Sequence, residues 1–160
     1  MGAWGVWDDA NDLSREAYSL LCEKLGFGRT AKEKIDREEE GLAEEARESC
    51  CQKLLLQHPS LFYGCLSDLI DFLDRDSSLP LRARMGRAVG LALEVYHLYN
   101  RDRPPGKEKL DPAFPSALRR KCLGYIQALS EEGEIREAGW SSPRERLRAL
   151  AREAEIFAQA

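Results

Sequence analysis

Residues 59–73 read PSLFYGCLSDLIDFL, and this stretch decides the fold. Proline belongs in the first turn of a helix, where its missing N–H costs nothing. Behind it Leu61, Phe62, Cys65, Leu66, Leu69, Ile70 and Leu73 recur at steps of three and four, the spacing that lines one side of an α-helix. The face is broad enough to predict a helix in the middle of a bundle.

The same period continues on both sides. Downstream, Asp74 to Ser78 predicts a turn, and Ser77 or Ser78 with Pro80 close behind predicts the start of a helix through Leu81, Met85, Ala88, Val89, Ala92, Val95, Tyr96 and Tyr99. Gly86 and Gly90, four residues apart, predict a place where another helix comes close. The run Asn100 to Gly106, NRDRPPG, cannot continue a helix through its two prolines and predicts the longest loop. Asp111 before Pro112 predicts an N-cap, followed by a stripe of Phe114, Leu118, Cys122, Tyr125, Ile126 and Leu129. Ser142-Pro143-Arg144-Glu145 is a capping box opening a last helix with Leu147, Leu150, Ala151, Ala154 and Phe157.

Upstream, Thr30 and Glu33 form another capping box, predicting a helix toward Gln57 with Ile35, Leu42, Ala46, Cys50 and Leu54 on one side. A first helix is predicted from Asn11 or Asp12 through Leu13, Ala17, Leu20, Leu21 and Cys22, ended by Gly26-Phe27-Gly28. No segment alternates with period two, so no strand is predicted. The expected fold is all-α: an antiparallel helical bundle or short α-solenoid of about six helices, one domain over residues 1–160, with residues 1–10 an irregular segment docking on it through Trp4 and Trp7.

Composition narrows the function classes. No apolar run approaches the roughly 18 residues of a membrane span, and the first residues lack the basic-then-apolar order of a secretory leader. Gly2 has Val6 where an acylation signal carries Ser or Thr. Five cysteines, an odd number without CxxC spacing, read as reduced thiols, and a cytoplasmic or nuclear setting is expected. Cys50 and Cys51 diverge by about 100° on a helix, so one of them is expected to be partly exposed.

Candidate chemistry is sparse. Glu94 and His97 make a Glu-x-x-His, but a di-iron bundle needs that unit twice, and the only other histidine, His58, has Leu55 at the matching position. Asp68, Asp71, Asp74 and Asp76 read as the solvated edge of a helix rather than as a magnesium cluster, which would need a second charged cluster and a large cavity. No phosphate loop, dinucleotide fingerprint, nucleophile elbow or zinc spacing occurs, so no catalytic residue, metal or cofactor is expected.

Charge is the better signal. Residues 1–78 hold 9 Lys/Arg against 17 Asp/Glu, and residues 79–160 hold 15 against 11, so two faces of opposite sign are expected. The basic surplus lies between Arg82 and Lys121. Arg82, Arg84, Arg101, Arg103, Arg119 and Arg120 are the candidate partner-binding residues, with Trp4 and Trp7 as apolar anchors. The expected function is that of a helical adaptor or scaffold that binds an acidic or amphipathic segment of another protein, in a groove between helices or on a basic face near the 100–110 loop. A helical haem or metal carrier and a nucleic-acid-associated accessory domain are the alternatives. Most nucleic-acid-binding domains are basic overall, whereas this chain has a net charge of -4, which favours a protein partner.

Overall fold

The computed structural model describes residues 12–26, 40–131 and 143–159. Among the described residues there are six α-helices and no strand: α1 (Asp12–Lys24), α2 (Glu40–Gln57), α3 (Pro59–Arg75), α4 (Leu81–Asn100), α5 (Ser116–Leu129) and α6 (Pro143–Ala158). The chain is therefore all-α, as the periodicity predicts. The Thr30–Glu33 capping box, Ser142 and the Trp4–Trp7 segment lie outside the described residues.

The central helix is α4, and not α3 as the breadth of the α3 stripe suggests. α4 packs against α1, α2, α3 and α5. Its buried residues run nearly all the way round, from Met85 through Val89, Gly90, Leu91, Ala92, Leu93 and Val95 to Leu98. A helix apolar on every side can only be satisfied by neighbours on every side. α3 buries one face, Phe62, Tyr63, Leu66, Leu69, Ile70 and Leu73, and leaves Leu61 and Phe72 in solvent. The expected close approach at Gly86 is absent, since a Cβ there would meet nothing within 4 Å. Gly90, one turn on, is buried.

Two helix starts differ from expectation. α4 begins at Leu81 with Pro80 in the cap position and no side chain capping it. The Asp76 carboxylate instead accepts from the backbone N–H and hydroxyl of Ser78, closing the preceding turn. α5 begins at Ser116 with Pro115 in the cap position, and not after Asp111. A residue before proline is driven out of helical geometry, so Phe114 cannot belong to a helix crossing Pro115. Asp111 instead ties its own turn to Ala113 N–H and accepts from the Tyr63 hydroxyl at 2.8 Å.

On three helices a residue of the predicted apolar face points outward, while most of the described remainder packs inward. Among the described residues of α2 Cys51 and Leu55 are buried, whereas Cys50 faces solvent. On α1 Leu20 is exposed beside the fully buried Leu21 and Cys22. On α6 Leu147 is exposed, and Arg146, Ala149, Leu150, Glu153, Ile156 and Phe157 are buried, with Arg146 and Glu153 3.8 Å apart. No described helix is long and apolar enough to cross a membrane.

Candidate functional site

The six arginines do not form one compact cluster. Arg82 and Arg84 stand in the first turn of α4, while Arg101 and Arg103 follow its last. A helix of 20 residues separates the two pairs by about 30 Å. Arg84, half-buried, donates to the backbone carbonyl of Asp74 at the end of α3. Arg101 is exposed and 3.9 Å from Glu48 of α2. Arg103 donates to the Tyr99 hydroxyl at 2.8 Å and lies over the same ring, 4.7 Å from its centroid. Arg119 donates to the carbonyl of Gln159 beyond α6, and Arg120 is exposed. The end of the bundle where α4 stops and α5 starts thus carries Arg101, Arg103, Arg119 and Arg120, three of them with partners inside the fold.

The loop holding Arg101 and Arg103 is anchored from Asn100, which is 7% exposed. Its amide nitrogen donates to Tyr96 O at 2.8 Å and Lys109 O at 3.0 Å, and its oxygen accepts from Lys109 N–H at 2.9 Å. One side chain stitches both ends of residues 101–108 together, and Gly106, at φ +82°, supplies the left-handed turn between them.

Two of the three aspartates of α3, Asp71 and Asp74, are committed to α5. Asp74 accepts from Lys121 at 2.8 Å and from the Tyr125 hydroxyl, and Asp71 is 3.5 Å from Lys121. Burial works against the Asp74 carboxylate, but Lys121 and Tyr125 outweigh it and hold its carboxyl below the usual range. Burial and the Asp74 hydrogen bond push the Tyr125 phenol up to about 12. Among the described residues no three His, Cys, Asp or Glu side chains converge on a metal position. Glu94 and His97 instead line a cavity of about 150 Å³ with Tyr18, Glu48, Leu98 and Arg101, where α1, α2 and α4 meet. Arg15 lies 3.7 Å from Glu48 and 3.8 Å from Glu94 at the same junction.

The larger concavity is an open groove of about 530 Å³ between the end of α1 and the second half of α3, lined by Lys24, Asp68, Leu69, Asp71, Phe72 and Arg75. Asp68, Phe72 and Arg75 follow at steps of four and three, so they share one face of α3. Leu20, 42% exposed, lies one turn before Lys24 on the matching face of α1. Phe72 is 62% exposed, the most exposed large apolar side chain among the described residues. Sequence reasoning missed this groove. The available signal was Phe72 itself, which falls outside the 62, 66, 69, 73 stripe and so had to leave the core.

No protein family model, curated protein or solved structure matches the chain.

Proposed function

We propose that this chain is a helical protein-binding module, an adaptor or scaffold, whose α1–α3 groove receives a short acidic, amphipathic segment of a partner protein. The observation that carries the reading is Phe72, 62% exposed within a groove of about 530 Å³. A phenyl ring left in water above a partly buried floor is a costly surface unless something covers it. Leu69 and Phe72 offer a seat for an apolar anchor. Charge sets the sign of the flanks: Lys24 and Arg75 border the groove with Asp68 and Asp71, and because Lys121 engages Asp71 the two cations outweigh the remaining acid, Asp68. An apolar side chain with Asp or Glu beside it is the complementary ligand.

The basic loop end, with Arg101, Arg103, Arg119 and Arg120, is the other surface on which the same function could rest, and one experiment separates the two. A displayed library of random peptides is panned on the wild type, on Phe72→Ala with Lys24→Glu and Arg75→Glu, and on a charge reversal of the four loop-end arginines. The groove reading expects selected peptides to carry an apolar residue next to acids, and to lose binding only on the groove variant. Peptides that bind the groove variant as well as the wild type sink it.

A further inference from the structure

Cys22 of α1 and Cys51 of α2 face each other across a helix interface with their sulfurs 3.4 Å apart, both fully buried. The neighbouring Cys50 is exposed. The Tyr18 side chain, one turn before Cys22 on α1, is 6% exposed, and its hydroxyl lies against the two thiols. Tyr18 also walls the 150 Å³ cavity described above, which has room for a few water-sized molecules. Arg47, one turn before Cys51 on α2, brings a half-buried positive charge to the same place.

We propose that Cys22 and Cys51 are an oxidisable dithiol site that a small hydroperoxide, reaching the sulfurs through a local opening beside Tyr18, converts into a disulfide joining α1 to α2. The sulfurs must close by about 1.4 Å to reach a bond length of about 2.05 Å, a displacement within the reach of side-chain rotation. The two thiols share a hydrogen bond, so they ionise one at a time. The Cys22 thiol donating to it, with Tyr18 and Arg47 nearby, favours Cys51 as the first thiolate despite its burial, and loss of the second proton is pushed well up. In the first step the Cys51 thiolate attacks one peroxide oxygen; the S–O bond forms as the O–O bond breaks, and the departing alkoxide or hydroxide takes up the proton that Cys51 released. In the second, the Cys22 sulfur displaces the hydroxyl of the sulfenic acid, giving the S–S bond and water. Two thiols lose two electrons in all, and the peroxide gains them.

Burial selects the oxidant. To reach sulfurs sealed at 0% exposure a glutathione-sized disulfide needs a far wider opening than a hydroperoxide does, whereas it reaches Cys50 directly. The test treats the reduced full-length chain with hydrogen peroxide or with glutathione disulfide under native conditions. Remaining thiols are alkylated after denaturation, and the digest is mapped by mass spectrometry. With peroxide the expected product is a Cys22–Cys51 linked peptide, lighter by two hydrogens and reversed by dithiothreitol, in the wild type and in Cys50→Ser alike. In Cys22→Ser the oxidation stops at a Cys51 sulfenic acid that dimedone traps. Glutathione disulfide is expected to modify Cys50 and leave the pair reduced. Recovery of both thiols in alkylated form after peroxide overturns the proposal, as does a link through Cys50 or equal formation of the 22–51 link by glutathione disulfide. The wild-type map decides the matter even if Cys22→Ser does not fold.

Discussion

Replacing Asn100 by alanine removes three hydrogen bonds at once, one to Tyr96 O and two to the backbone of Lys109. A hydrogen bond within a protein contributes about 1 kcal/mol net, and the cost rises where the abandoned partner stays buried. Lys109 is exposed, so water can recover part of its loss, and the expected cost is about 2–3 kcal/mol. For a chain of 160 residues the unfolding entropy is about 0.34 kcal/mol/K, so the melting temperature should fall by about 6–9 °C. Asn100→Asp sharpens the test. It keeps the oxygen that accepts from Lys109 N–H but turns a second oxygen toward two carbonyls. Ionisation there is disfavoured, which raises the folded-state pKa above the ordinary aspartate value. The stability of that variant is then greatest below the ordinary value and is lost as pH rises through the raised one. Melts followed by circular dichroism at pH 4 and pH 7 should place Asn100→Asp below Asn100→Ala at pH 7 and closer to the wild type at pH 4. Hydrogen exchange at the Lys109 amide should accelerate in both variants. An Asn100→Ala melt within about 1 °C of the wild type, with Lys109 exchange unchanged, would refute the account of the loop as held by this side chain.

Other predictions are shorter. Phe62 is fully buried and stacks edge-on against Tyr63 with centroids 5.8 Å apart, so Phe62→Ala should cost about 3–5 kcal/mol in denaturant unfolding, whereas Phe72→Ala should cost little and act only on binding. Burial pushes the Cys122 thiol up to about 12 from an ordinary value near 9, and Tyr125 to about 12 from near 10. Both groups hold their protons longer in the folded state, so the stability they contribute is full below pH 9 and falls from there toward pH 12. Cys122→Val and Tyr125→Phe should each flatten that alkaline loss, and an unchanged pH profile in both would contradict it. With a thiol reagent on the native reduced chain, Cys50 should react fastest and Cys22, Cys51 and Cys122 only at the rate of opening; a fast second buried thiol would contradict the burial.

Helix number and type were legible because a stripe of apolar residues at steps of three and four is a local property, written within each segment. Proline at position 59 and glycine at position 26 mark boundaries for reasons equally local: a fixed φ and a missing donor in one case, and the freedom to take φ +90° in the other. Which end of an ambiguous turn starts the helix was less so. At Asp111 two prolines competed, and Pro115, by excluding Phe114 from helical geometry, won.

What the chain alone could not decide is which of two adjacent apolar residues goes inward, because that depends on where the neighbouring helices stand. Leu20 and Leu21, Cys50 and Cys51, and Phe72 and Leu73 are each apolar pairs, and in each the second member is buried while the first is exposed. The candidate groove and the buried dithiol both arise from those choices. Phe72 lines a groove only because α1 ends beside it, and Cys22 meets Cys51, 29 residues away in sequence, only because α1 and α2 both pack on α4 at a register that brings them together. Arginine spacing likewise said nothing of the 30 Å helix that keeps Arg82 and Arg84 from the loop end. The sequence by itself determined the helices, their period and most of their ends, since these follow from backbone sterics and local burial. Only the tertiary structure decided which faces were used, since packing is a choice among neighbours that no single segment contains.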